Sequence, residues 1–360
     1  MKVLHVITSL YTGGAERLMV DLLPLLRDGG ENQVDLLLIN GVETPFKKIL
    51  EESRIRVYAL QMTNDVYHPR VLFKMMRFLR QEQYDIIHTH NTAPQLYVPL
   101  SRLFLSSKGE LVTTEHSTNS RRRDLWWFKP IDKWMYGRYA AIVCIANKCK
   151  VILDEYIGHL NTVIINNGID VKRFLHPIKD ISSQDTFIIS MVAALRVEKD
   201  HETLLKAVKL LPNKYKLRIV GAGSQEVADS VKARCHELNL DDRVDFMGMR
   251  MDVPDLLEQS DVIVLSSHWE GLSLSSIEGM ASGRPFVASD VDGLREMVGG
   301  VGVLFPHGDD KALAQKIQWL CEHPDEYREV AQRCQEKACQ YDISVTASKY
   351  LELYEELLRT

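Results

Sequence analysis

Short runs of aliphatic and β-branched residues alternate along this chain with longer amphipathic segments, and that alternation restricts the fold more than any other feature. Val3–Thr8, Gln33–Ile39, Tyr84–Thr89, Leu111–Glu115 and Ala140–Ala146 read as strands, with helices over Ala15–Arg27 and Pro69–Glu82. Strand–helix–strand order of this kind implies parallel sheets, buried on both faces under helices. The pattern pauses at Asn166-Asn167-Gly168-Ile169-Asp170 and through polar His176–Asp185. It then restarts with strands at Thr186–Ala193, Lys216–Val220, Val244–Met247, Asp261–Ser266, Pro285–Ala288 and Gly302–Leu304, and helices at His201–Leu211 and Glu226–Leu238.

A chain of 360 residues is long enough for two domains at ~150 residues each. The boundary is expected within 172–185 and is set at 175/176. This predicts an α/β protein of two doubly wound, Rossmann-like domains, 1–175 and 176–342, whose parallel sheets face a cleft with their strand C-termini. The last segment, Val345–Leu358, has apolar residues at helical spacing and by pattern alone fits either domain.

Charge and cysteine usage narrow the function classes. Lys+Arg total 44 against 49 Asp+Glu, a net charge of -5, so no global basic field points to nucleic acid. The six cysteines show no CxxC spacing, which fits a reduced, cytoplasmic setting. No apolar stretch reaches the ~18 residues of a membrane span, and no cleavage site follows the N-terminal apolar run.

The most informative stretch is Glu270-Gly271-Leu272-Ser273-Leu274-Ser275-Ser276-Ile277-Glu278. It follows a predicted strand and opens a predicted helix. The unpaired amides and positive end of a helix N-terminus can seat a phosphate, and Gly271 permits close backbone approach. Like charges keep Glu270 and Glu278 off the phosphate itself; each can instead accept from hydroxyls flanking a diphosphate, the layout of a nucleoside diphosphate sugar. The bland alternative is an acidic pair near an ordinary helix start.

Other stretches carry weaker signals. Gly13-Gly14 sits in a strand–helix turn. Val220-Gly221-Ala222-Gly223-Ser224-Gln225-Glu226 begins like a dinucleotide fingerprint but has Glu226 where the last glycine belongs. Asp290-Val291-Asp292 reads as a turn of solvated acids, since two carboxylates under-fill a divalent ion's shell. His88 and His90 end a strand on one face and read as a polar cleft wall, with no third zinc ligand evident nearby. His116 lies just past another strand end. Arg196 and Lys199 follow the first strand of the second half and suit a leaving diphosphate. Arg121, Arg122, Arg123, Trp126 and Trp127 form a basic, aromatic cluster fit for a bilayer interface or a lipid-linked anionic acceptor, or for a flap with solvated charges.

Taken in order, Gly13-Gly14-Ala15-Glu16, Asp85-Ile86-Ile87-His88-Thr89-His90, Asn167-Gly168-Ile169-Asp170 with Phe174, the Gly221–Gly223 turn, Glu270 through Glu278 and Gly293-Leu294-Arg295-Glu296 resemble the family 4 retaining glycosyltransferases of GT-B fold. The resemblance runs along nearly the whole chain and is similar to that of enzymes building bacterial surface polysaccharides. It implies transfer of a hexosyl group from a nucleoside diphosphate sugar to an acceptor hydroxyl, without a metal or other cofactor. It implies catalytic roles for His116, Arg196, Lys199 and Glu270. Donor contacts fall to Gly13, Gly14, Met249, Arg250, Gly271, Leu272, Ser273, Leu274 and Glu278, and acceptor or membrane contacts to the cluster 121–127. It also places the helix 343–360 on the N-terminal domain. Partners would be a glycan or lipid-linked acceptor and an anionic membrane met peripherally at the inner face of the plasma membrane, with no nucleic acid. One departure is Ala194, where the family often has arginine; Arg196 is expected to substitute. On the residues alone, a sugar-nucleotide epimerase and a non-catalytic nucleotide-sugar-binding subunit stay open beside the transferase.

Overall fold

The structure, a computed structural model, describes residues 1–11, 13–27, 31–105, 109–116, 121–158 and 160–359, apart from the side chains of Arg121 and Asp124. Contacts gather these residues into two compact units, Met1–Gly168 with Ile343–Thr360, and Ile169–Asp342. The division thus falls at 168/169 rather than at 175/176. Ile169, Val171 and Phe174 are buried in the second unit's core, and the Ile169 amide donates to the Tyr341 carbonyl at 3.0 Å.

The first unit runs β1 (Lys2–Ile7), α1 (Gly14–Leu26), β2 (Gln33–Asn40), α2 (Pro45–Glu52), β3 (Arg56–Gln61), α3 (Pro69–Gln81), β4 (Ile86–His90), α4 (Thr92–Arg102), β5 (Glu110–Glu115), α5 (Lys129–Tyr136), β6 (Ala141–Cys144), α6 (Asn147–Ile157) and β7 (Thr162–Ile164). Its described strands pair in parallel in the order β3-β2-β1-β4-β5-β6-β7. Strand order therefore reverses between β1 and β4, the place where such sheets open a crevice. Two strands escape the sequence pattern, β3 and β7, and both are sheet edges. Their residues are half-buried or exposed, so they lack the apolar run that marks a central strand.

Side-chain alternation sends Val3, Ile7, Ile86 and Val112 to one face of this sheet and Leu4, Val6, Ile87 and Leu111 to the other. The second face is covered by α3 to α6. The first is covered by α1, α2 and the chain's last helix, Ile343–Arg359, whose number in chain order is α14. Ile343, Ala347, Tyr350, Leu353 and Tyr354 are its buried stripe, at the three-to-four spacing of an amphipathic helix. Thr346 adds a hydroxyl bond to the Asn166 carbonyl at 2.9 Å.

The second unit runs β8 (Phe187–Val192), α7 (His201–Leu210), β9 (Tyr215–Val220), α8 (Gln225–Glu237), β10 (Val244–Gly248), α9 (Val253–Glu258), β11 (Val262–Leu265), α10 (Leu274–Ala281), β12 (Phe286–Ser289), α11 (Asp292–Val298), β13 (Val303–Phe305), α12 (Asp310–Glu322) and α13 (Pro324–Cys339). Its parallel order, β10-β9-β8-β11-β12-β13, reverses between β8 and β11. The glycines after β9 have a packing reason. A Cβ on Gly221 would lie 2.0 Å from the Ala193 carbonyl oxygen, and one on Gly223 would lie 1.9 Å from that of Leu195. They admit the continuation of β8, which explains a glycine pair that lacks the rest of a dinucleotide fingerprint. No helix among the described residues is long and apolar enough to cross a membrane.

Because α14 buries its stripe against this sheet face beside α1 and α2, Leu353→Ala should cost about 2–3 kcal/mol through the cavity it leaves. Leu358→Ala, at a position 44% exposed, should change stability by no more than about 0.5 kcal/mol. Amide-exchange protection of β1 and β4 measures the difference. Equal losses in the two variants would show that α14 does not hold that face.

Candidate functional site

In the second unit, the strand ends at the β8/β11 reversal carry the predicted cations and acids. The chain leaving β8 is tied to its neighbours: the Leu195 amide donates to the Ala222 carbonyl at 3.0 Å, and the His268 amide to that of Glu198 at 2.8 Å. Ser266 Oγ donates to the Asp200 carbonyl at 2.9 Å. Asp200 then turns the chain in the left-handed region (φ 47°) and caps α7 by accepting from the Thr203 amide. This fixed loop delivers Lys199, whose ammonium is ion-paired with Glu270. Ser267 Oγ donates to the same carboxylate at 2.7 Å. Lys199 and Glu270 are only 17% and 10% exposed, so the pair is partly withdrawn from water, where charge interactions strengthen.

Arg196 is not part of this cluster. Its side chain is 64% exposed, with Glu198 3.7 Å away, a surface pair of small worth.

Glu270 leads into α10. Ser273 caps that helix, its Oγ accepting from the Ser276 amide at 3.4 Å. Helix geometry leaves the amides of Leu274 and Ser275 without a partner one turn back. Beneath this turn lies Gly293: a Cβ there would sit 2.3 Å from the Gly271 carbonyl oxygen and 2.4 Å from that of Glu270. Only glycine lets the start of α11 pack against the Glu270–Gly271 backbone. Glu278 is half-buried farther along α10. Met249, 59% exposed, follows β10, and the adjacent Arg250 is paired with Asp252 at 2.5 Å. The acids of the Asp290–Asp292 turn are not merely solvated: Arg295 holds Asp290 at 2.6 Å and Asp292 at 3.3 Å.

In the first unit, Gly13 precedes α1 in extended conformation and Gly14 is its first residue; Thr12 lies outside the described residues. The expected cleft wall at His88 and His90 is not found. Both side chains are fully buried on the α14 face of the sheet, beside His5 of β1, their cross-strand neighbour. His5 Nδ1 and His90 Nε2 are 2.9 Å apart, and His90 Nδ1 and His116 Nε2 3.0 Å. Burial disfavours the charged imidazole, lowering His5 to about 3 and His116 to about 4, with His88 and His90 also well below their usual value.

The basic cluster divides. Arg122 and Arg123 are not solvated surface charges: their side chains turn inward on the opposite face. Arg122 is paired with Asp132 at 3.3 Å and bonded to Gln95 and Tyr136. Arg123 holds Glu115 at 2.9 Å. Both are 9% exposed; the buried carboxylates of Glu115 and Asp132 require compensating charge, which no count of local basic residues reveals. Trp126 and Trp127 remain outside, 86% and 49% exposed.

Two groups among the described residues bring three potential metal ligands within 4.8 Å of one another: His5, His88 and His90, and Asp200, His268 and His307. The first is hydrogen-bonded through its ring nitrogens. In the second, both Asp200 oxygens already accept from Thr203. Sequence reading missed Ser267, His5, Tyr350 and Tyr354; the pair of tyrosines four apart on one helix was the available signal.

Residues 12–173 match the family model for Glycosyltransferase Family 4, and residues 171–340 match that for Glycosyl transferases group 1. The chain is 26% identical over 323 residues to the UDP-Gal:alpha-D-GlcNAc-diphosphoundecaprenol alpha-1,3-galactosyltransferase of Escherichia coli, covering 81% of this chain and 80% of that one. It is 26% identical over 372 residues to the N-acetylgalactosamine-N,N'-diacetylbacillosaminyl-diphospho-undecaprenol 4-alpha-N-acetylgalactosaminyltransferase of Campylobacter jejuni, covering 96% and 98%. In structure it resembles HepE of Anabaena, solved in complex with UDP-glucose, with a TM-score of 0.86 and 22% identity over 99% of this chain and 100% of that one. Two parallel, Rossmann-like units with these matches along both halves give the GT-B fold, and the chain belongs to the family 4 and group 1 glycosyltransferases.

Proposed function

We propose that the enzyme transfers a hexosyl group from a UDP-sugar to a hydroxyl of a lipid-linked glycan, with retention of anomeric configuration, in surface polysaccharide or glycolipid synthesis. The observation that carries this reading is the Lys199–Glu270–Ser267 cluster at the β8/β11 reversal, immediately before the N-terminus of α10. The diphosphate would lie on the amides of Gly271, Leu272, Ser273 and Leu274, where the helix dipole favours negative charge. Glu278 would accept from the ribose and Glu270 from the hexose. Met249 and Arg250 would border the base, and Gly13 and Gly14 would meet phosphate.

Transfer breaks the bond between the anomeric carbon and the β-phosphate oxygen and forms one to the acceptor oxygen on the same face. The acceptor proton passes to the departing phosphate. Lys199 would balance the charge that grows there, with Arg196 reaching the same anion from its exposed loop; donors fixed in advance in this way supply much of a catalytic barrier reduction. His116 would serve the transferred sugar and the acceptor. With an ammonium and helix amides on the leaving group, no divalent metal is required.

The lipid-linked acceptor rests on the substrates for which the E. coli and C. jejuni relatives are named, and uridine on the HepE complex. A peripheral position at the cytoplasmic face would rest on Trp126 and Trp127, which offer the amphipathic rings that settle at a bilayer interface.

Lys199→Ala should lower kcat by about 10²–10³-fold, and Glu278→Ala should weaken UDP binding, while EDTA leaves the wild-type rate unchanged. Release of the nucleoside diphosphate from a panel of UDP-, GDP- and ADP-sugars, with and without an undecaprenyl-diphosphate-linked acceptor, measures the rates, and the thermal shift produced by UDP measures its binding. Loss of turnover on chelation contradicts the metal-free scheme, and an epimerised donor without transfer contradicts the reaction. Separately, Trp126→Ala/Trp127→Ala should reduce binding to anionic vesicles several-fold with UDP affinity unchanged; equal binding by the variant would remove these residues from the membrane role.

A further inference from the structure

The buried face between the first unit's sheet and α14 holds an unbroken series of hydrogen-bonding groups. Tyr350 hydroxyl lies 3.1 Å from Thr114 Oγ1, which lies 2.7 Å from His88 Nε2. His88 Nδ1 lies 2.5 Å from Tyr354 hydroxyl, which lies 3.4 Å from His5 Nε2. His5 Nδ1 then meets His90 Nε2, and His90 Nδ1 meets His116 Nε2. His116 Nδ1 ends the series, buried and without a partner among the described residues.

The end of the series at which a proton can go unpaired sets its direction. From Tyr350 to His116 there are seven groups, each carrying one proton when the imidazoles are neutral, and six links to receive them, so one proton has no acceptor within the series. Tyr350 is fully buried with Thr114 as its one partner among the described residues, whereas His116 is half-buried just past a strand end, so the unpaired proton falls at His116 and that of Tyr350 goes to Thr114. Thr114 must then donate to His88, His88 to Tyr354, Tyr354 to His5, His5 to His90, and His90 to His116. The reverse order would strand the Tyr350 hydroxyl proton in the sheet interior, where an unmade hydrogen bond costs ~1–3 kcal/mol and no ligand can take it. Neutrality itself follows from burial, which holds all four imidazoles below their ordinary range.

We propose that His90 is a positioning residue that holds His116 as its Nδ1–H tautomer, so that His116 meets its ligand as a hydrogen-bond donor and not as a base. His116 Nε2 is occupied by the His90 proton; the one atom left to act is Nδ1–H, and it can be satisfied by a sugar hydroxyl or phosphate oxygen. Its catalytic meaning rests on the glycosyltransferase reading above, whereas the tautomer does not. The same wiring answers the metal question for His5, His88 and His90: their nitrogens are engaged with one another, with Thr114 and with Tyr354 rather than aimed at a common point.

The test is the tautomer, read from imidazole ¹⁵N shifts of full-length protein labelled at histidine, with His116 assigned by its loss in His116→Gln. The wild type should show a protonated Nδ1 and an unprotonated Nε2. His90→Leu should yield mixed tautomers and lower kcat about tenfold, the worth of one well-placed hydrogen bond. His90→Asn, whose amide nitrogen falls where the ring Nδ1 was, should restore the single tautomer. Tyr354→Phe, three hydrogen bonds from His116, should introduce the reversed form without touching it. A wild-type His116 protonated at Nε2 overturns the proposal, as does an unchanged tautomer in His90→Leu or tightly held zinc in the purified protein. Should the tautomer hold while a UDP-sugar and acceptor leave the His116 signals unmoved, the wiring stands and the role given to His116 above fails.

Discussion

An ammonium and a carboxylate held against each other at the end of a parallel sheet carry the rest of the account. Lys199 and Glu270 come from loops that follow different strands, and their pairing depends on those strands being neighbours, which the reversal of strand order between β8 and β11 ensures. Withdrawing such a pair from water has a desolvation cost that its attraction need not repay. Apolar residues of similar volume would serve stability as well. On the function proposed above, the pair would meet a ligand that takes both charges: the cation for an anion, the carboxylate for hydroxyls. Ser267 and the backbone fixed by Gly293 keep that carboxylate in place.

The first unit is organised by a different constraint. One face of its sheet is covered by α1, α2 and a helix from the far end of the chain, α14, which meets it with tyrosines. Their rings fill the interior while their hydroxyls need partners, and the partners are Thr114, His88 and His5. On the opposite face, Glu115 and Asp132 draw Arg122 and Arg123 inward. Both faces of β5 are therefore tied to polar networks whose last members lie near residue 116, so the sheet interior sets what the residues at its edge can do.

The fold was legible because central parallel strands are apolar on both faces and their helices keep a clear period. The edge strands β3 and β7 were not, since an edge is half in water and loses that pattern. Glu270 through Glu278 was legible because its residues are contiguous, and Lys199 because it follows a strand end. Side-chain direction was not. Arg122 and Arg123 looked like surface charges because nothing local in the sequence shows that two buried acids wait for them, and His88 and His90 looked like a cleft wall because their cover arrives from more than 250 residues away. Contacts of that separation leave no mark in a window of neighbouring residues.

The seat of the diphosphate is the claim on which the chemistry turns, and backbone amide shifts during a UDP titration address it directly. The account predicts that the largest changes fall on Gly271, Leu272, Ser273 and Leu274, the amides at the head of α10. Changes that leave these four unmoved while saturating elsewhere would contradict it.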